Sequence, residues 1–252
     1  MNYFNDVIAC CRDLIINFPD AKSVAEYADK RLSKVGQERF SFGYFPSHKN
    51  LQTLAAVVGE ERLLQLELIH DRIIQDGVSN RKVLHSSLEK HNLIMPYRDV
   101  YGNIIAIVGR TILSDEQRKS IDIPKYKNTS FLKGNHLFGL FEAKNAIIQN
   151  NLVFVVEGQF DCITASDKGL TNVVALGSSS MTFEQFALAT RYTNNLVMLL
   201  DNDEAGKTGA ERVIKLYGKY ANIKRAVLPN GYKDIDEYLS DNSIDSLGLI
   251  LK

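Results

Sequence analysis

The 252-residue sequence contains few cysteines, carries no net charge and has no long apolar segment. Its three cysteines, of which Cys10 and Cys11 are adjacent, suit neither a disulfide framework nor a zinc knuckle. No apolar run reaches the roughly 20 residues of a transmembrane helix, and residues 1–17 lack the basic start and cleavage site of a signal peptide. We therefore expect a reduced, cytoplasmic protein with no membrane partner.

The balance of 30 basic and 30 acidic residues gives no compositional argument for nucleic-acid binding. The charges are nevertheless unevenly distributed along the chain. Basic residues are dense between Arg110 and Lys133, whereas carboxylates gather between Glu157 and Asp203. This distribution suits a protein that holds an anionic polymer beside an acidic metal site, and a solvated lysine surface would give the same pattern.

Three acidic clusters are the most informative feature: Glu157 with Asp161, Asp201-Asn202-Asp203, and Asp234-Ile235-Asp236. The first two directly follow apolar runs that are typical of buried strands. Carboxylates at the carboxyl ends of strands lie where open α/β sheets bind their ligands, and several of them together require a cation. Oxygen ligands without nearby His or Cys favour Mg²⁺ or Mn²⁺ over zinc. The clusters thus predict metal-assisted phosphoryl transfer.

The hydrophobic periodicity divides the chain into two parts. Residues 2–39 and 50–75 show helical spacing, residues 76–91 read as a polar loop, and residues 93–99 and 104–110 read as a strand pair. From residue 152 onward, strand and helix patterns alternate: strands at 152–156, 172–176, 196–200 and 223–228, and helices at 159–168, 182–192, 204–218 and 234–240. We therefore predict an α/β protein: a mixed α+β subdomain over residues 1–145 and an α/β subdomain with a mainly parallel sheet over residues 146–252.

The first two acidic clusters resemble the Toprim pattern, which DnaG-type primases share with topoisomerases, recombination-mediator proteins and some nucleases. The flanking segments resemble the motifs of the bacterial DnaG-type primase catalytic core, in the same order from about residue 25 to residue 240. These segments are 40–46, 96–102, 109–110, 124–128, 133–140, 176–180, 203–206 and 228–239.

This resemblance implies DNA-dependent synthesis of RNA primers on single-stranded DNA from NTPs, with two Mg²⁺ or Mn²⁺ ions as cofactors. It implies that Glu157, Asp201 and Asp203 are the catalytic metal ligands, with Glu157 as an alternative base for the primer 3′-hydroxyl. The resemblance also gives Asp161, Asp234 and Asp236 a share in metal binding. The residues implied to contact nucleotide or template are Arg110, Lys125, Lys127, Asn128 and Lys133.

The sequence departs from the family pattern in several respects. No Cys/His set precedes the core and no sequence follows residue 252, so we expect the zinc-binding and helicase-interaction domains to be missing. The segment between Asn128 and Phe131 is also shorter than usual, and His91-Asn92 stands where the family often carries arginine. These departures suggest a phage or mobile-element protein, or one that works with a separate zinc-binding subunit or a replicative helicase.

Two other functions fit the acidic clusters alone. One is a Toprim metal-dependent nuclease, and the other is a non-catalytic DNA-binding accessory protein of replication or recombination. Both are disfavoured because neither needs the motifs between residues 40 and 140. A topoisomerase is disfavoured further because no tyrosine-bearing cleavage domain is recognisable.

The candidate residues also have simpler explanations. Asp161, Asp203 and Asp234 are good helix-capping residues, and the basic residues could form a solvated surface. Residues 177–179 could form an ordinary strand-to-helix turn. No ligand cluster is predicted for the five histidines, which are scattered along the sequence: His48, His70, His85, His91 and His136.

Overall fold

The computed structural model describes residues 3–75 and 80–247, without the side chains of residues 72–75 and 80–82. The chain clusters into two compact units. Unit 1 comprises Met1–Arg31, Phe40–Tyr97 and Asn103–Phe131, and unit 2 comprises Leu32–Arg39, Arg98–Gly102 and Leu132–Lys252. The subdomain boundary near residue 145 stays a prediction. Among the described residues, no helix has both the length and the apolarity that a membrane crossing requires.

Unit 1 combines short helices with an antiparallel sheet. Its helices are α1 (Phe4–Asn17), α2 (Lys22–Arg31), α4 (Leu51–Val58), α5 (Glu60–Gln65) and α6 (Asp115–Ser120), while α3 (Lys34–Arg39) falls in unit 2. Its strands are β1 (Gly43–Tyr44), β2 (Ile69–Gln75), β3 (Asn80–Ser86), β4 (Leu93–Arg98), β5 (Ile104–Arg110) and β6 (Tyr126–Asn128). Four strands form one sheet in the order β1-β4-β5-β6, and β2 pairs with β3.

Helix α1 supplies one side of the unit 1 core. Its residues Val7, Ile8, Cys11 and Leu14 are buried and recur at the spacing of a single helix face. Three of them, all but Leu14, belong to an apolar cluster that includes buried residues of the sheet, such as Ile107. Burying a side chain of this size stabilises the fold by about 1.5–3 kcal/mol, so this face holds the helix in place.

The hairpin of β2 and β3 differs from the prediction. The helical pattern was expected to continue to residue 75, but α5 ends at Gln65 and Glu67 adopts a left-handed backbone with φ 56°. The predicted loop over residues 76–91 contains β3, while residues 76–79 lie outside the described residues. Because β3 has the polar sequence NRKVLHS, it shows no alternation of apolar residues that could reveal a strand.

Unit 2 alternates strands and helices as predicted. The elements are α3, α7 (Leu140–Asn150), β7 (Val153–Val156), α8 (Gln159–Asp167), β8 (Val173–Ala175), α9 (Phe183–Thr190), β9 (Asn195–Met198), α10 (Glu204–Tyr217), β10 (Asn222–Arg225) and α11 (Ile235–Asp241). The strands form a sheet in the order β10-β9-β7-β8, and every pairing is parallel. The predicted fold class is therefore confirmed.

The register of β7 and β9 determines where the first two acidic clusters lie. The strands are adjacent and parallel, with Val155 opposite Met198. Beyond the last paired residues, the amide of Leu199 donates to the carbonyl oxygen of Val155 at 2.8 Å. Glu157 and Asp201 therefore leave the sheet at the same carboxyl edge, where parallel α/β sheets bind their ligands.

Candidate metal-binding site

Glu157 and Asp201 carry negative charge into a partly buried region of unit 2. Burial first, and then the charges of Asp201 and Asp203, raise the pKa of Glu157 to about 7. Burial also raises the pKa of Asp201, against a lowering by Lys233 and with a further rise from Asp234. The carboxylates thus lie close enough for their charges to repel one another.

Asp161 is the most deeply buried of the predicted ligands. It belongs to the first turn of α8, is 9% exposed, and its Oδ2 accepts the backbone N–H of Gly158 at 2.9 Å. Burial raises its pKa well above the usual range, and the charges of Asp234 and Asp201 add to the rise. The hydrogen bond of Asp161 to the helix start fits the capping explanation. Capping alone does not explain why this carboxyl is buried among other acidic residues.

Two further carboxylates cap helices. Asp203 precedes α10 and its Oδ1 accepts the N–H of Gly206 at 2.9 Å. Asp234 precedes α11 and its Oδ1 accepts the N–H of Glu237 at 2.8 Å. Each aspartate therefore fixes a helix start while its charge stays beside the other acids.

Asp161, Asp234 and Asp236 form a compact group of ligand atoms. One carboxylate oxygen from each lies within 4.8 Å of the others, and no other described set of three or more His, Cys, Asp or Glu residues meets this limit. The hydroxyl of Thr164 donates a hydrogen bond to Asp236 Oδ1 at 2.7 Å, which orients that carboxylate. This donor set consists of hard carboxylate oxygen atoms, and the pKa of Asp161 is raised by burial and by the neighbouring charges. The set therefore fits a divalent cation such as Mg²⁺.

Asn202 and Lys233 shape the site although the sequence analysis did not single them out. The side-chain amide of Asn202 donates to the carbonyl oxygens of Leu228 and Tyr232 at 3.1 and 3.2 Å. The backbone N–H of Asn202 donates to the carbonyl oxygen of Lys233. Lys233 Nζ lies 3.7 Å from Asp201 Oδ2. Burial alone would lower the pKa of Lys233, but the neighbouring carboxylates, Asp201 first, raise it overall. These residues join the second acidic cluster to the third.

Gly206 allows the close approach of α10 to the second acidic cluster. A Cβ atom at this position would lie 2.2 Å from the carbonyl oxygen of Asp201, a distance that requires the backbone to move. The glycine that follows Asp203 by three residues thus permits both the cap and the position of Asp201.

The predicted nucleotide and template contacts lie in both units. In unit 1, Arg110 is only 4% exposed and donates Nε and Nη2 to the Tyr27 hydroxyl and Nη1 to the Tyr126 hydroxyl, at 2.6–3.1 Å. Lys125 Nζ lies 5.9 Å from the centre of the Tyr126 ring, and Lys127 is exposed. The arrangement gives Arg110 a structural role that sequence reasoning did not anticipate, while its role in binding phosphate stays a prediction.

The remaining two predicted contacts have contrasting surroundings. Asn128 Oδ1 is buried and has no hydrogen-bond partner among the described residues. In unit 2, Lys133 donates to the carbonyl oxygen of Gly177 at 2.7 Å, at a position where Gly177 has φ 75°. Lys133 therefore stabilises the turn at residues 177–179, and its contact with nucleotide or template stays a prediction.

Comparison with known families accounts for most of the chain. The model described as "DNA primase catalytic core, N-terminal domain" matches residues 15–144, and the model described as "Toprim-like" matches residues 154–239. The two matches occur in the order that the sequence motifs predicted.

Individual relatives agree with these families. The chain is 30% identical over 222 residues to the DNA primase of Aquifex aeolicus (strain VF5), covering 87% of this chain and 43% of the relative. It is 30% identical over 222 residues to the DNA primase of Escherichia coli (strain K12), covering 84% of this chain and 36% of the relative. The chain therefore spans less than half the length of these curated relatives.

Solved structures share the fold. The crystal structure of the Aquifex aeolicus primase, with zinc-binding and RNA polymerase domains, matches with a TM-score of 0.81 and 26% identity, over 99% of this chain and 59% of that chain. A DnaG primase catalytic domain bound to ssDNA matches with a TM-score of 0.78 and 24% identity, over 99% and 79% of the two chains. The second likeness is one of fold alone.

Proposed function

The chain belongs to the DNA primase catalytic core family, and we propose that it synthesises short RNA primers from NTPs on a single-stranded DNA template. The observation that carries this proposal is the group of interacting carboxylates Glu157, Asp201 and Asp203 at the carboxyl edge of the unit 2 sheet. The matched family and the relatives named DNA primase support polymerisation over the two alternative functions. The cytoplasm remains the location that we expect.

We assign the cofactor as two Mg²⁺ or Mn²⁺ ions. Glu157, Asp201 and Asp203 would hold them with help from the compact group of Asp161, Asp234 and Asp236. Divalent ions bound in sites of this kind make a hydroxyl more acidic and neutralise charge on a triphosphate. The oxygen-only donor set supports this assignment, since it lacks the imidazole or thiolate ligands that zinc prefers.

The acidic residues and Asn202 would have different roles in the site. Glu157, whose pKa is about 7 without a metal, would serve either as a metal ligand or, alternatively, as the base for the primer 3′-hydroxyl. Asp201 stays paired with Lys233 and offers a negative oxygen beside it. The Asn202 contacts keep the loop of Tyr232 and Lys233 next to this pair, which holds Asp234 within reach.

The proposed contacts to nucleotide and template are Arg110, Lys125, Lys127 and Asn128 in unit 1 and, separately, Lys133 in unit 2. Their charges and amide group suit contacts to phosphate, which position a nucleic acid without reading its sequence. One solved relative includes a zinc-binding domain. We retain a zinc-binding subunit and a replicative helicase as candidate partners.

A primer-synthesis assay tests this proposal. The protein is incubated with single-stranded DNA, labelled NTPs and Mg²⁺ or Mn²⁺, and oligoribonucleotides are resolved by gel electrophoresis. We expect products with the natural protein and with Glu211→Gln, an exposed change on α10, and at least a 100-fold loss with Asp201→Asn. Cleavage of the template without NTP incorporation would instead identify a nuclease, and binding without either reaction would identify an accessory protein.

A further inference from the structure

Three of the five histidines, which are scattered in the sequence, meet on one side of the β2–β3 hairpin in unit 1. His70 and His85 are directly opposite each other in the antiparallel pairing, so their side chains lie on the same face of the hairpin. Their ring centres are 5.5 Å apart. His48 belongs to the 3-10 turn His48–Asn50, and its ring centre lies 6.1 Å from that of His85.

Glu89 adds a carboxylate to this group. Its Oε2 lies 3.4 Å from His48 Nδ1 and accepts the backbone N–H of His48 at 3.2 Å. This contact holds one nitrogen of the imidazole and leaves Nε2 for another partner. A carboxylate bound to the second nitrogen of a histidine is the usual support of a histidine that ligates a metal.

His85 has an unusual environment for an imidazole. Its Nε2 is buried and has no hydrogen-bond partner among the described residues. A buried polar atom of this kind calls for a partner, since such atoms are nearly always satisfied. The rings of His70 and His48 each lie beside that of His85, and both side chains are exposed, which leaves the group open to solvent.

We propose that His48, His70 and His85, supported by Glu89, form a binding site for a borderline transition-metal ion such as Zn²⁺ or Ni²⁺. Two imidazoles on one tetrahedral zinc, at about 2.0–2.1 Å per bond, have ring centres about 5 Å apart. The observed separations of 5.5 and 6.1 Å are close to that value, but the rings are stacked on that of His85, with interplanar angles of 16° and 23°. The nitrogen atoms of the group do not lie within 4.8 Å of one another. The rings must therefore turn out of the stack to share an ion, which the soft χ2 torsion of histidine allows.

This site differs in chemistry from the carboxylates of unit 2. Imidazole ligands select Zn²⁺, Ni²⁺ or Cu²⁺, whereas carboxylates suit Mg²⁺ and Mn²⁺. The metal would tie the two strands of the hairpin to the turn at His48, so its expected effect is stabilisation of unit 1. The proposal is therefore independent of whether the protein makes primers.

Metal titration tests the proposal. Zn²⁺ or Ni²⁺ is titrated by calorimetry in excess Mg²⁺, so that Mg²⁺ occupies the carboxylates of unit 2. In a separate experiment, Co²⁺ binding is followed by visible absorption. We expect one equivalent to bind to the natural protein and to His136→Gln, a histidine outside the group. We expect at least tenfold weaker binding for His85→Gln, His70→Gln and His48→Gln, and a metal-dependent rise in Tm only where binding is retained.

Three results would overturn the proposal. The first is unchanged stoichiometric binding after His85→Gln and His48→Gln, and the second is no stoichiometric binding to the natural protein. The third is loss of Zn²⁺ binding on Asp234→Asn with the histidines intact, which would place the ion at the carboxylates. Circular dichroism checks the fold of each variant, and His48→Gln decides the matter if His85→Gln does not fold, because His48 lies on an exposed turn.

Discussion

The side-chain amide of Asn202 donates a hydrogen bond to the carbonyl oxygen of Tyr232 at 3.2 Å, across thirty residues of sequence. A second bond from the same nitrogen reaches Leu228, and the backbone N–H of Asn202 reaches Lys233. Asn202 lies between Asp201 and Asp203, and Lys233 immediately precedes Asp234. One amide thus fixes the separation of two acidic clusters that belong to different loops.

Replacing Asn202 with alanine should weaken metal binding without altering the fold. The change removes two hydrogen bonds and leaves two carbonyl oxygens to find other partners, at a cost of about 1–3 kcal/mol. Because only the backbone contact to Lys233 would still hold the loop before Asp234, we expect Mn²⁺ affinity to fall about tenfold or more in calorimetry. Asn222→Ala, an exposed change at β10, is the control, and equal affinities for the two variants would contradict the role given to Asn202.

Metal affinity should depend on pH near neutrality. The pKa of Glu157 is about 7 in the metal-free protein, so this carboxyl is increasingly protonated as the pH falls below 7. Since a metal must displace that proton, we expect Mn²⁺ affinity to fall by up to about tenfold per pH unit between pH 7 and 6. Above pH 8 this contribution should be absent.

Glu157→Gln should flatten this dependence while lowering the affinity overall, because glutamine carries no titratable proton. Calorimetry at pH 6, 7 and 8 provides the measurement. Glu184→Gln, an exposed change at the start of α9, should leave the pH profile as it is. A profile that remains equally steep after Glu157→Gln would assign the proton to another group.

Asp161→Asn should stabilise the protein when divalent ions are absent. Burial and neighbouring aspartates raise the pKa of Asp161 in the folded protein above its unfolded value, so stability falls as the pH rises through that range. At pH 8 in EDTA we expect the variant to unfold at a higher urea concentration than the natural protein, since asparagine can still accept the Gly158 N–H. Glu211→Gln should change stability by less than about 0.5 kcal/mol.

With saturating Mn²⁺ the order should reverse, because the natural protein gains more from the ion than the variant does. This reversal separates a metal ligand from a residue that merely caps a helix. A variant that is less stable than the natural protein in EDTA would contradict the repulsion inferred at Asp161.

Arg110 allows its two roles to be measured separately. Arg110→Gln and Tyr27→Phe both break the contacts to the Tyr27 hydroxyl, so each should lower stability by about 1–3 kcal/mol in urea unfolding. Only Arg110→Gln removes a positive charge. We expect the slope of log affinity against log salt for single-stranded DNA to fall by about one for that variant alone. Equal slopes for the two variants would restrict Arg110 to a structural role.

The helices and strands of unit 2 were well predicted because each has a clear hydrophobic pattern in its own sequence. The apolar runs of β7 and β9 are buried strands that need no polar partner to be recognised, and Asp203 and Asp234 mark helix starts. The hairpin of β2 and β3 was missed because polar strands gain their structure from pairing, which leaves no local signal.

The same limit applies to individual site residues. Asn202 and Lys233 act through contacts with distant loops, and their neighbours in sequence carry no sign of those contacts. His70 and His85 meet only because of the strand register, which the sequence did not reveal. Contacts between polar side chains that are distant in the sequence could therefore not be predicted, either at the carboxylates or at the histidines.

The capping contacts of the aspartates have a consequence for denticity. One oxygen of each already accepts a hydrogen bond from within the protein: Asp161, Asp203 and Asp234 from backbone N–H groups, and Asp236 from a hydroxyl. Such carboxylates are disposed to coordinate an ion through a single oxygen. Mg²⁺ accepts monodentate ligands in an octahedron, whereas Ca²⁺ commonly takes bidentate carboxylates and more oxygen atoms. The same bonds that start the helices would thus help this protein to discriminate against calcium.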